Sequence, residues 1–274
     1  VTTNRTSSYI APGATVNADL SDAVFNQLVH VAAGSDYYNL TIAGVLPVAL
    51  GAAAGAAADL TLVNNLTEAF VGGNVQSQRD LDVRAFAKED VLAVAAGFTA
   101  ALGASVAGSL PIISLNTQTF ASIANNATVF ANGNVLVSSR DDTDTDIMTG
   151  AASVGLLAGV GTSAGVVVVD KDVRAWIGQS ATVDALANGN NFMVVSDGDV
   201  DSMGEFNTFG IQGLAVQAES TEDTFTLAAS GGAGLFVGIS GAASATLIDA
   251  DTSAFIDQNA QVNTLPGASP SQNV

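Results

Sequence analysis

One short pattern recurs five times along this chain, and that recurrence restricts the fold more than any other feature. The copies are Thr6-Ser-Ser-Tyr-Ile10, Thr67-Glu-Ala-Phe-Val71, Thr119-Phe-Ala-Ser-Ile123, Val173-Arg-Ala-Trp-Ile177 and Thr252-Ser-Ala-Phe-Ile256. Their central residues, Ser8, Ala69, Ala121, Ala175 and Ala254, are 61, 52, 54 and 79 residues apart. A period of this kind marks units that cannot bury a face alone and must stack on their neighbours. After each copy comes a Gly- or Asn-rich turn and an Ala-x-Val step, as in Ala14-Thr-Val16, Ala127-Thr-Val129, Ala181-Thr-Val183 and Ala260-Gln-Val262. A Val/Leu-rich strand with an acidic end follows: Leu81 to Asp90, Val135 to Asp142, and Leu214 to Asp223. The longest interval exceeds the others by about one coil of chain, which stacked units accommodate as an insertion.

Within each copy the side chains alternate with period two. Thr67, Ala69 and Val71 fall on one side and Glu68 and Phe70 on the other; Val173, Ala175 and Ile177 oppose Arg174 and Trp176. That is the signature of a half-buried strand. Short strands divided by Gly, Asn and Asp, with no amphipathic helix, give an all-β reading. The run Ala49 to Ala58 carries two glycines, each costing a helix about 1 kcal/mol, and reads as a strand with small inward side chains. The expected fold is a parallel β-helix, or β-solenoid, forming a single continuous unit over residues 1–274. It is taken as right-handed from the usual crossover preference. At two or three coils per repeat and about 4.8 Å per coil, it predicts a rod on the order of 60 Å long.

Composition narrows the function. Apolar residues make up 48% of the chain, enough for a core, but Ala, Val and Gly dominate and aromatics are only 6%. Small and β-branched side chains suit a narrow, pleated interior. A net charge of −19 argues against nucleic acid or an anionic membrane as partner. With no Cys there is no disulfide framework or thiolate metal site. Uncharged runs such as Ala43 to Ala58 and Ala151 to Val169 approach membrane-span length, but they recur once per repeat and are rich in Gly and Ala, so no membrane insertion is expected.

Three groups of residues are candidates for chemistry. Asp197, Asp199, Asp201 and Glu205 alternate with glycine nearby, which is how oxygen ligands gather around Ca²⁺, although the spacing is not that of an EF-hand loop. Asp141, Asp142, Asp144 and Asp146 form a second acidic cluster that reads as a turn. Either cluster also reads as a charged edge that discourages strand pairing. Tyr9, Phe70, Trp176 and Phe255 share one phase in four of the five copies, with Ser122 in the fifth, and should form an outward column for sugar rings or a neighbouring rod. Catalysis has little support: the lone His30 lies in an apolar strand with no nucleophile elbow, and a glycine-rich stretch at Gly231 to Gly234 lacks the P-loop lysine.

The run Ala49 to Ala58, the segment Asn64-Asn-Leu-Thr-Glu-Ala-Phe-Val-Gly-Gly73 and Leu81-Asp-Val-Arg-Ala85 resemble the repeat regions of large bacterial surface adhesins of the filamentous haemagglutinin and leukotoxin type. The resemblance is periodic and compositional, covers nearly the whole chain and carries no site residues. It implies a right-handed parallel β-helix, an extracellular location and a role as stalk, adhesin or filament. The chain reads as a segment of a longer array, since it stops mid-unit without a polar cap. The expected function is therefore structural or adhesive rather than enzymatic, with self-association into fibres or a glycan as partner and Ca²⁺ as a stiffening ion. The alternative is a β-helical enzyme that degrades polysaccharide.

Overall fold

A computed structural model describes residues 1–189 and 192–274. The elements in chain order are β1 (Thr2–Ile10), β2 (Thr15–Val16), β3 (Val29–Val45), β4 (Val48–Ala49), β5 (Ala53–Val71), β6 (Asn74–Ser77), β7 (Leu81–Ala101), β8 (Ala104–Ile123) and β9 (Thr128–Ala131). They continue as β10 (Val135–Gly155), β11 (Ala158–Ile177), β12 (Thr182–Ala185), β13 (Met193–Val200), β14 (Phe206–Ile211), β15 (Leu214–Ala233), β16 (Val237–Ile256) and β17 (Gln261–Val262). There is no helix among the described residues, and so none long and apolar enough to cross a membrane.

The chain is an all-β parallel solenoid. One sheet stacks β1-β5-β8-β11-β16, a second stacks β3-β7-β10-β15, and a narrow third stacks β2-β6-β9-β12-β17. All three ladders are parallel throughout. The chain runs along the first sheet, crosses the third, returns along the second and doubles back through a tight turn such as Leu102-Gly103. The five repeat centres stack as one column: Ser8 opposite Ala69, then Ala121, Ala175 and Ala254. Leu81, Val135 and Leu214 are in register in the same way.

Each repeat is a single coil, not two or three. Strands of about twenty residues at roughly 3.3 Å each make the coil near 66 Å wide, whereas five rungs at about 4.8 Å span only some 19 Å. The predicted 60 Å rod is therefore a flat slab whose short dimension is the stacking axis. The long interval before Ala254 is likewise not an extra coil. It holds the antiparallel hairpin β13-β14, which packs Met193 and Val195 onto Leu136 on the outside of the second sheet. Ala49 to Ala58 comprises the end of β4, the turn and the start of β5, and stacks on Ala101 to Leu110.

Alternation sets what lies inside. In β7 the residues Leu81, Val83, Ala85, Ala87, Glu89, Val91, Ala93 and Ala95 are buried, and those between them face out. At the broad end, beside the third sheet, Val, Ile and Leu fill the wedge, with Val71, Ile123, Ile177, Val83 and Val137 fully buried. Towards the turn the first and second sheets converge and the interior shrinks to Ala, Ser, Thr and Gly. There Ser105 and Ser153 hydroxyls bond at 2.5 Å and Ser109 and Thr149 at 2.7 Å. A Cβ at Gly97 would collide with the Gly108 carbonyl oxygen. This taper is why a chain poor in aromatics can be close-packed. At the corner leading into the third sheet, Gly13, Asn126, Ser180 and Asn259 have positive φ, the conformation Gly and Asn adopt at least cost.

Candidate functional site

Tyr9, Phe70, Ser122, Trp176 and Phe255 are register partners on the outer face of the first sheet. Tyr9 stacks on Phe70 with centroids 5.0 Å apart and planes at 5°, and Trp176 stacks on Phe255 at 6.1 Å and 9°. Phe120, two residues from the gap at Ser122, meets Trp176 edge-on at 6.0 Å. Alternation alone could not show that the ring faces turn towards one another. They point along the axis, so a ligand approaching from the side meets ring edges, and Tyr9 and Phe255 each end the column with an unstacked face.

The second acidic cluster is arranged differently from expectation. Asp141 to Asp146 is not a turn but the middle of the 21-residue strand β10. Asp142, Asp144 and Asp146 lie on its outer face, while Asp141 faces the interior and is fully buried. Charges at alternate positions of a pleated strand stand in water without ending it, so an acidic run need not be a turn. Asp144 is stacked between Asp90 and Asp223 on neighbouring coils. Burial, then Asp146, Asp223, Asp90 and Asp142, push the Asp144 carboxyl above the usual range.

In the hairpin, Asp201 Oδ1 accepts the backbone N–H groups of Met203 at 2.7 Å and Glu205 at 3.1 Å, and Asp197 Oδ1 accepts that of Asp199 at 2.9 Å. Glu205 turns instead to Arg140 at 3.5 Å, whose guanidinium also lies 5.9 Å from the Phe206 ring centroid. Among the described residues no group of three or more His, Asp or Glu is gathered to hold a metal ion. The Asp197 and Asp201 carboxylates shape the turn, a role for which Asp in an Asx motif suffices.

His30 is on the outer face of β3, half exposed, with Nδ1 3.2 Å from Asp82 Oδ2. Farther along that face, Gly44, Ala96, Gly150 and Ala229 form the floor of a shallow apolar groove of about 670 Å³, flanked by Leu46 and Phe98. Ser230 is the one lining residue with a polar side chain, and no His, Asp, Glu or Lys lines the groove with it.

Reasoning from the sequence missed a polar layer inside the slab, between two apolar clusters. Lys171, fully buried, places Nζ 3.0 Å from Asp141 Oδ1, 3.2 Å from Glu222 Oε1, 3.1 Å from the Asp141 carbonyl oxygen and 2.9 Å from that of Thr221. Thr119 Oγ1 donates to Asp141 Oδ2 at 2.7 Å, and Thr143 Oγ1 lies 3.3 Å from both Asp141 Oδ1 and Glu89 Oε2. Glu89 is fully buried and accepts from Asn65 Nδ2. Burial, and next the charge of Asp141, push the Glu89 carboxyl up to about 8; a hydrogen bond between the two carboxyl groups acts in the same direction. The available signal was phase: Glu89, Asp141 and Lys171 each share the inward parity of apolar neighbours in their strands.

Compared with protein-family models, curated proteins and solved structures, the chain matches none of them.

Proposed function

We propose that this chain is a structural module of an extracellular stalk or filament, one that extends by continuing its own stack of coils. The observation that carries this reading is the state of the end coils. The inward column Ile10-Val71-Ile123-Ile177 is buried at its middle members, yet its last member, Ile256, is 44% exposed. Ile248, also on the inward phase of β16, is 45% exposed. Both edges, β1 with β3 and β15 with β16, present unpaired strand backbone, which templates further pairing.

In the first sheet, which has five strands to the four of the second, the ends are also complementary. A second copy added one rung beyond β16 in the internal register sets Arg5 opposite Asp251 and Tyr9 over the free face of Phe255. The resemblance of the repeats to surface adhesins supports a place outside the cell and an adhesive use of the finished stack. Sedimentation velocity and negative-stain microscopy over a concentration series test this. The expected result is rods that lengthen with concentration in steps of about 24 Å, five rungs per copy. Charge reversal by Arg5→Glu should shorten them and Asp251→Arg in the same chain should restore them. A strictly monodisperse monomer at all concentrations would count against self-extension.

A further inference from the structure

We propose that Lys171 and Asp141 condense within the folded chain into an amide between Nζ and Cγ, with Glu89 as the catalytic proton shuttle. The inference is independent of whether the slab stacks into a filament. Three features carry it.

First, the reacting groups are positioned. Nζ and Oδ1 are 3.0 Å apart, neither side chain is exposed, and the two strands that carry them, β11 and β10, belong to opposite sheets packed face to face. Two carbonyl oxygens hold the amine in place, so little motion separates contact from attack. Second, the acid catalyst is adjacent. Glu89 is buried in the same layer as Asp141, and the Thr143 hydroxyl lies 3.3 Å from both Asp141 Oδ1 and Glu89 Oε2. Third, Thr119 Oγ1 donates to Oδ2, where negative charge develops when the carboxyl carbon becomes tetrahedral.

The step balances without any other reactant. One ammonium proton passes to Oδ1 across the 3.0 Å contact, the Nζ lone pair so freed attacks Cγ, and an N–C bond forms. Glu89 accepts a proton from the nitrogen and delivers one to Oδ1, the Cγ–Oδ1 bond breaks, and Oδ1 departs as water. Glu89 ends as it began. An ammonium and a carboxylate become a neutral amide, the direction favoured by an interior that solvates neither ion well. Glu222, the other carboxylate near Nζ, is partly exposed and lies at the open end of the stack, away from Glu89, so Asp141 is the expected partner. The product would staple the first and second sheets across a loop of thirty residues.

Intact-mass spectrometry of the purified full chain decides the matter. The expected mass is that of the sequence less one water, and tandem spectra of a digest should contain one branched peptide joining Lys171 to Asp141. Lys171→Arg and Asp141→Ala should each return the full mass. Glu89→Gln, with its strand content verified by circular dichroism, should also return the full mass, because the shuttle is gone and the pair remains. A folded wild-type chain at full sequence mass after prolonged incubation at neutral pH overturns the proposal. So does a water loss that maps to Glu222, or to no branched peptide.

Discussion

Lys171 and Asp141 meet at 3.0 Å with neither side chain exposed, in a polar layer of the slab interior between two apolar clusters. An ion pair so placed is costly to break from one side, because the survivor is left as an uncompensated buried charge. Asp141→Ala should therefore lower stability by about 3–5 kcal/mol, and Asp142→Ala, one residue along but facing out, by under about 0.5 kcal/mol. Urea unfolding of the two variants side by side measures the contrast.

Glu89 makes the fold sensitive to pH. Its carboxyl is held near 8 against an ordinary value of 4.5, with burial as the leading cause. Below 4.5 the group is protonated in the folded and unfolded chain alike and its contribution is fully present. Between 4.5 and 8 the unfolded chain releases the proton and the folded chain keeps it, so stability declines as pH rises through that window. The thermal midpoint should fall from pH 5 to pH 8, and Glu89→Gln should flatten the slope. Because burial leads, the slope should survive amide formation at Asp141.

Position along the stack should set the cost of a core truncation. Ile177 and Ile256 are neighbours in one inward column, but Ile177 is fully buried between coils and Ile256 is at the open end. Ile177→Ala should cost about 2–5 kcal/mol. Ile256→Ala should cost under about 1 kcal/mol in dilute solution. A rise in the second figure with protein concentration would report coverage of that end by another copy.

The glycines of the tapered end differ in the same testable way. At Gly97 a side chain has no room against the Gly108 backbone, whereas a Cβ at Gly150 comes no nearer than 3.9 Å to the Ala229 carbonyl oxygen. Gly97→Val should abolish cooperative unfolding or the fold itself. Gly150→Val should leave the thermal midpoint unchanged or slightly higher, as β-branched residues favour strands. Differential scanning calorimetry separates the two.

Calcium should leave the coils indifferent. Asp201 Oδ1 already caps its turn through two backbone N–H groups and Glu205 turns to Arg140, so an ion in the hairpin would have to displace contacts already made. Circular dichroism melts in calcium and in chelator should coincide. A midpoint lower by many degrees in chelator would show that the hairpin closes around a cation.

Much of this architecture was legible in the residues alone. The repeat fixed the stacking register, because only a segment with the same inward and outward parity can sit on its neighbour without turning charge inwards. Hence Ala69, Ala121 and Ala175 were identifiable as one column, and Tyr9, Phe70, Trp176 and Phe255 as another. Alternation could not say where a strand ends, since a charge on the outer face is compatible with both turn and strand; the Asp144 run was misplaced for that reason. Nor could it give the number of coils per repeat, which depends on where the chain doubles back. Only the tertiary structure could decide that Glu89, Asp141 and Lys171 meet. They come from three strands in two sheets, separated by up to 82 positions in the chain, and proximity of that kind is set by how the opposed sheets pack.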